Sequence, residues 1–255
     1  MQENSKDFSK EKENNLWPMR LNKFIARSGL CARREADILI TQSKISVNGN
    51  IVVDLGYKVQ KNDVVKFKDA PLNPEVFEYI LLNKPKDFIT TTYDPQDRKT
   101  VMQLVNTASD KRLYPVGRLD RNSTGLLILT NDGELAKYLT HPSSNVEKVY
   151  HVLLNKSLKE PDLIKIQSGL YLEDGFIKPD EIAYPNFNNK KEVGITIHSG
   201  KNHIIRRIFK HLHYEVIKLD RVLYHTLTKK DLPRGKWRRL TKFEILALKK
   251  LSKSL

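Results

Sequence analysis

The sequence predicts an α+β protein with a largely antiparallel mixed sheet and flanking helices. Three observations carry that expectation. Strand-like and helix-like patterns mix without the steady βαβ rhythm of a parallel sheet. Asn48-Gly49, the strongest short hairpin signal, joins two alternating apolar runs. The run from Leu126 to Leu129 is short, β-branched at Ile128 and bounded by turn residues, so it reads as a buried core strand rather than a helix.

Taken in order, residues 1–18 are polar and mixed in charge, too poor in apolar side chains to offset chain entropy, and are expected to form a disordered tail. From Met19, Leu21, Phe24 and Ile25 fall at helical spacing and Gly29 supplies a stop; a second helix through CARREADILITQS turns Ala36, Leu39 and Ile40 inward. The hairpin at KISVNGNIVVD follows, and KVQKNDVVKF, Lys58 to Phe67, reads as another short strand pair. Two helices and a small sheet thus occupy residues 19–69. Pro71 and Pro74 then flank polar residues, which places a linker at 70–77 and a second domain over 78–255.

In that second domain EYILLNKP is a strand stopped at Lys84-Pro85, and Val101, Leu104 and Val105 mark a short amphipathic helix. VGRLDRNSTGLLILTNDG mounts the loop acid Asp120, between Arg118 and Arg121, on the core strand. Asn131 with Glu134 suggests a capping box for ELAKYLTH. Further on come an alternating strand through Tyr150, a helix closed by Gly169, a strand in GFIKPDEIAYP, and a strand from Val193 to Ile197. A helix from about His203 to Leu212 and a strand from Glu215 to Tyr224 follow. LPRGKWRRLT reads as an extended basic loop before a last helix with a capping box, Thr241 and Glu244.

Composition narrows the function. In 255 residues, 45 Lys and Arg against 30 Asp and Glu give a net charge of +15, the footprint of a nucleic-acid binder. No apolar run approaches the roughly 18 residues of a spanning helix, and MQENSKDFSKEKENN lacks the apolar core of a signal peptide, so membrane association is not expected. The single cysteine, Cys31, forms no internal disulfide and fits a reducing cytoplasm. HExxH, CxxC and GxxxxGK[ST] motifs are absent, which leaves zinc, iron-sulfur and P-loop chemistry without support and no metal expected.

On its own, an aspartate such as Asp120 often caps a turn or pairs with neighbouring arginines. The wording around it says more: GRLDxxSxGLLxLTNDG resembles the catalytic motif of pseudouridine synthases, in particular the RsuA family that modifies rRNA. RLNKFIARSGLCARREAD with ISVNG resembles the S4 RNA-binding domain, and LNKP matches the start of the synthase domain. The resemblance runs from Met19 through nearly the whole chain. It implies that Asp120 is the catalytic aspartate, Tyr150 in EKVYHV the motif tyrosine, and Arg206 in GKNHIIRR the motif basic residue. One departure is Ile204, where relatives commonly carry Gln or Glu. LPRGKWRRLT resembles the branch acting on large-subunit (23S) rather than small-subunit (16S) rRNA.

The reaction so implied breaks the N1–C1′ bond of a uridine, turns the uracil and rejoins it through C5. An ionised carboxylate suits the first step, either attacking C1′ or removing a proton at C2′ to give a glycal. Tyr150 would stack on the uracil and is open to a role as base, although a phenol is a poor one. The nucleotide must be flipped out of its stack. No redox change or group donor is involved, so no cofactor is expected. Arg20, Lys23, Arg27, Arg33 and Arg34 precede the first acid of their unit, Glu35, and are candidate phosphate contacts; Arg118, Arg121, Lys201 and Arg207 are their counterparts in the second domain. The expected partner is rRNA or a ribosomal subunit precursor, with the protein acting as a cytoplasmic monomer. An RNA-binding or ribosome-assembly protein without catalysis would explain the charge but not three motifs in family order. A paired-carboxylate glycosidase would need a second acid, and Asp94, Asp97 and Asp132 sit in turns or caps.

Overall fold

Leu21, Phe24 and Ile25 lie on one stripe of a helix and bury it against Ala36 and Ile40 of the next, and this contact founds the N-terminal unit. The structure is a computed structural model that describes residues 17–251. It divides into two compact units between Val76 and Phe77. The tail expected at residues 1–18 lies outside the described residues except for Trp17 and Pro18, and Trp17 packs on Phe24 with ring centroids 6.0 Å apart.

The two helices of the first unit are α1 (Leu21–Arg27) and α2 (Arg33–Thr41). Its strands are β1 (Met19–Arg20), β2 (Ile45–Val47), β3 (Asn50–Ile51), β4 (Lys58–Val59), β5 (Val65–Phe67) and β6 (Ala70–Pro71). Glu35 accepts a 2.7 Å bond from the Ala32 N–H and so covers one of the donors left open at the start of α2. The Asn48-Gly49 hairpin is present between β2 and β3. Lys58 to Phe67 does not fold back on itself as the sequence suggested. β4 pairs with β1 and β5 with β2, giving the order β3-β2-β5-β6. Asn48 explains the choice: its side chain takes the Val64 N–H at 2.9 Å and its own N–H bonds the Val64 carbonyl, which draws β5 to β2. Ala70 and Pro71, placed by the sequence in a linker, pair with β5.

The second unit is built on one sheet in the order β13-β14-β10-β15-β9-β7-β17, with β8 and β16 attached to β9 and β15. Its strands are β7 (Tyr79–Lys84), β8 (Tyr114–Pro115), β9 (Thr124–Thr130), β10 (Lys148–Leu154), β11 (Leu170–Leu172), β12 (Gly175–Ile177), β13 (Glu181–Ala183), β14 (Glu192–Ile197), β15 (Val216–Tyr224), β16 (Leu227–Thr228) and β17 (Trp237–Arg239). Its helices are α3 (Val101–Leu104), α4 (Gly133–Thr140), α5 (Glu160–Ser168), α6 (Ile204–His211) and α7 (Lys242–Leu251). Both faces of the sheet are covered. Ile80, Leu82, Leu127 and Leu129 pack into one core, while Tyr79, Leu81, Leu126 and Ile128 pack into the other. That double burial is why the run at 126–129 is continuously apolar rather than alternating.

Three expectations about elements change. Asp132, not Asn131, caps α4, taking the Leu135 N–H at 3.1 Å, because the Asn131 side chain is already bonded to the Glu78 N–H at 2.8 Å. GFIKPDEIAYP breaks at Pro179 into β12, which pairs with β11, and β13, which pairs with β14. The basic loop before α7 contains β17, which covers the edge of β7 with Trp237 opposite Leu82. The box at its far end is as expected, with Thr241 and Glu244 bonding each other's backbone N–H.

The sheet is antiparallel except where β9 meets β15, pairing Thr124 with Asp220 and Gly125 with Arg221. Gly125 has φ +107°, and a Cβ there would run into the backbone of Arg221. Gly125→Ala is therefore expected to lower unfolding stability by about 3 kcal/mol or more, read from denaturant melts; a loss under about 1 kcal/mol would show that the junction can open. In the first unit Arg20, Arg33 and Arg34 are exposed and Lys23 and Arg27 half-buried. The Arg33→Ala, Arg34→Ala double variant should reduce the magnitude of the log K versus log salt slope for RNA by about 1.4 to 1.8; an unchanged slope would mean that neither arginine meets phosphate.

Candidate active site

The loop carrying Asp120 is tied down from below by Lys84, the last residue of β7. Lys84 is fully buried and its ammonium donates to the carbonyls of Ser123 at 2.8 Å, Asp120 at 3.0 Å, Pro85 at 3.1 Å and Arg121 at 3.3 Å. Burial pulls its pKa from 10.5 down to about 8, while the carboxylates of Asp120 and Asp87 act in the opposite direction. Two further contacts hold the loop. The Thr90 hydroxyl bonds the Leu119 carbonyl at 2.7 Å, and the Asp87 N–H bonds the Arg121 carbonyl at 2.9 Å.

So held, the Asp120 carboxylate is about one third exposed and borders a cleft of about 310 Å³. The volume lies at the small end for ligand sites, enough for one nucleoside rather than a stretch of polymer. Around Oδ2 stand the Ser123 hydroxyl at 3.3 Å, His203 Nδ1 at 3.6 Å and Arg206 Nε at 3.8 Å. Arg206 is aimed by a 2.9 Å bond from Nη1 to the Val216 carbonyl. His203 sits at φ +50°, a left-handed backbone that turns the chain into α6 and brings its ring toward Asp120.

The floor is the middle of the sheet. Tyr150 on β10 lies opposite Arg221 on β15, and Lys148 lies opposite Tyr224. Those partners are three residues apart on β15 but two on β10, because Val222 is bulged out between them, and the bulge puts Arg221 and Tyr224 on one face. Arg221 is buried, donates to the Leu126 carbonyl at 2.6 Å and to the Tyr150 hydroxyl at 3.4 Å, and lies 4.8 Å from the Tyr224 ring centroid. Among the described residues lining the cleft, Arg118, Lys148, Lys201 and Arg221 are cationic and Asp120 is the sole carboxylate. A site with this balance favours an anionic ligand.

Asp120, Tyr150 and Arg206, the three residues singled out from the sequence, thus meet at one cleft, although Arg206 supports Asp120 rather than forming the wall. Of the other cations, Arg118 and Lys201 line it, and Ile204 is buried in its wall. Arg121 pairs with Asp87 at 3.2 Å. Arg207 points away and is held by both Asp174 oxygens at 2.5 and 3.0 Å. The sequence reading missed Lys84, Lys148, His203 and Arg221. Lys84, Lys148 and His203 sit within quoted motifs, but Arg221 had no signal beyond a charged residue in a strand. Asp220, beside it, is bonded by Thr124, Lys229 and Arg234, and those donors hold its carboxyl well below the usual range against the effect of burial. Among the described residues no group of three or more His, Cys, Asp or Glu could hold a metal ion, and no helix is long and apolar enough to cross a membrane.

The RNA pseudouridylate synthase family model matches residues 78–211 and the S4 domain model residues 19–65. An uncharacterized RNA pseudouridine synthase of Aquifex aeolicus is 38% identical over 90% of this chain and 93% of its own. Ribosomal large subunit pseudouridine synthase B of Bacillus subtilis is 38% identical over 91% and 96%. The dual-specificity RNA pseudouridine synthase RluF of Escherichia coli is 36% identical over 91% and 79%. A crystal structure of a pseudouridylate synthase superposes with a TM-score of 0.64 at 31% identity, covering 90% of this chain and 99% of that one. The chain belongs to the RNA pseudouridylate synthase family and carries an N-terminal S4 domain.

Lys84→Met should cost about 2 to 4 kcal/mol of stability by stranding buried carbonyls. The effect also depends on pH. Folded Lys84 holds its proton less tightly than the unfolded chain does, so between about pH 8 and 10.5 the unfolded state binds the extra proton. Stability of the wild type should therefore rise with pH across that window relative to Lys84→Met, in denaturant melts at each pH; parallel curves would show that Lys84 is not a buried cation.

Proposed function

We propose that this enzyme converts uridine to pseudouridine at a specific position of ribosomal RNA, in the large subunit rather than the small one. The observation that carries the reading is a nucleoside-sized cleft lined by one carboxylate, Asp120, together with Tyr150, with Arg206 behind the carboxylate. The large-subunit preference is supported by the name of the Bacillus subtilis relative, a ribosomal large subunit pseudouridine synthase, and by the basic LPRGKWRRLT segment.

In this reading the target nucleotide flips into the cleft, with its unstacking cost of a few kcal/mol offset by contacts to base and backbone. The uracil stacks over Tyr150, which brings C1′ toward Asp120. The carboxylate either bonds C1′ or takes the C2′ proton as the N1–C1′ bond breaks. Arg206 holds the carboxylate in position, and the Lys84 bonds keep the loop from retreating. Arg118 and Lys201 at the rim, with Arg20, Lys23, Arg27, Arg33 and Arg34 of the S4 domain, hold phosphates and set orientation rather than read sequence. The enzyme acts as a cytoplasmic monomer and needs no cofactor.

Asp120→Asn, which removes the ionised oxygen and barely alters shape, should abolish product in a stoichiometric single-turnover reaction while RNA affinity stays within about threefold. Product from that variant at a comparable rate would remove Asp120 from the chemistry. Arg206→Ala should lower turnover far more than Arg207→Ala, because only Arg206 reaches the carboxylate and Arg207 is committed to Asp174. Equal losses would assign the role to the helix as a whole. Tyr150→Phe keeps the ring and should bind RNA normally with slower turnover; an unaltered rate restricts Tyr150 to stacking.

A further inference from the structure

Arg221 is 3% exposed, and its Nη2 is buried with no hydrogen-bond partner. Its other two nitrogens bond only a carbonyl and a phenol. Lys148 bonds only carbonyls, those of Val146 at 2.7 Å and His198 at 3.1 Å, and lies 5.8 Å from the Tyr224 ring centroid. Both side chains leave the sheet on the face where Tyr150 lies, and both line the cleft that holds Asp120. Two cations therefore border the cleft, Arg221 buried and Lys148 half-buried, and among the described residues no carboxylate is in hydrogen-bond or ion-pair contact with either. An unpaired buried charge is strongly unfavourable unless a ligand completes it.

We propose that Lys148 and Arg221 form the anion site for the uracil ring during bond exchange. The proposal rests on the assignment of Asp120 as the reacting carboxylate. When N1–C1′ breaks, its electron pair stays with the base, and the negative charge spreads over N1, O2 and O4. In one route a bond from Asp120 to C1′ replaces the one lost; in the other Asp120 takes the C2′ proton. The base leaves as an anion in both. Donors beneath the ring hold that charge at O2 or O4 through the turn; C5 then bonds C1′, displacing the Asp120 oxygen in the first route or with Asp120 returning the proton to C2′ in the second, and the C5 proton leaves to water. Lys148 suits the task because burial and Arg221 lower its pKa only to about 8, so it is still charged at neutral pH. Tyr150, bonded to Arg221, fixes the ring above the pair.

The test compares single-turnover loss of the target in large-subunit rRNA transcripts made with uridine or with 5-fluorouridine, read by chromatography of nucleoside digests. Fluorine withdraws electrons and stabilises the departing anion without help from the protein. Lys148→Met should slow loss of uridine about 100-fold, the scale of deleting one donor to a developing anion, and slow loss of 5-fluorouridine less than about tenfold, with RNA affinity unchanged. Lys148→Arg, which keeps the charge, should restore most of the rate. Arg221→Lys reports the second group through the same ratio, without relying on Lys148 variants to fold. Equal slowing on both transcripts in both residues' variants would overturn the proposal and leave Asp120 in place. A wild-type enzyme that converts neither transcript would overturn the proposed function itself.

Discussion

Lys84 puts an ammonium where water does not reach, and its hydrogen-bond partners are backbone carbonyls of the loop at 120–123 and of Pro85. Taking a charge out of water costs several kcal/mol, so the arrangement persists only because those carbonyl dipoles converge on it. The consequence runs outward. If the loop moved, the ammonium would lose its partners, so the loop stays, and with it the direction of Asp120. A loop acid is thereby given the positional definition of a residue on a strand.

The opposite wall depends on backbone rather than charge. Gly125 lets β9 and β15 approach so closely that no side chain fits between them, and the bulge at Val222 turns Arg221 and Tyr224 to the same face. Together these bring the floor of the cleft under the tethered loop. The charges then divide by role. Arg207, Arg121 and Asp220 are absorbed in ion pairs of the framework, whereas Lys148 and Arg221 remain without an acidic partner next to the one acid of the cleft.

Much of this was legible in the sequence, and unevenly so. Core strands announced themselves because burial on both faces demands apolar residues without interruption, as at Leu126 to Leu129. Asp120, Tyr150 and Arg206 were found through motif resemblance; spacing and charge alone left Asp120 as a plausible turn cap. Pairing was harder. Lys58 to Phe67 has the pattern of a hairpin, but the Asn48 side chain redirects its second half to another strand, and one side-chain amide has no periodic signature. Arg221 was invisible as a site residue for a related reason, and Lys84 showed only as a letter of the LNKP motif. Their importance comes from being buried, and a cation in a strand reads as solvated until the neighbours that desolvate it are known.

The central claim, that this chain makes pseudouridine in large-subunit rRNA through the chemistry of Asp120, is tested most directly by mapping. Pseudouridine-selective sequencing of 16S and 23S rRNA would be run on a strain lacking the gene, complemented with the wild type or with Asp120→Asn. The account predicts that a discrete pseudouridine site in 23S rRNA disappears, returns with the wild type and does not return with the variant. An unchanged map in the deletion strain, or a site restored equally by Asp120→Asn, would contradict it.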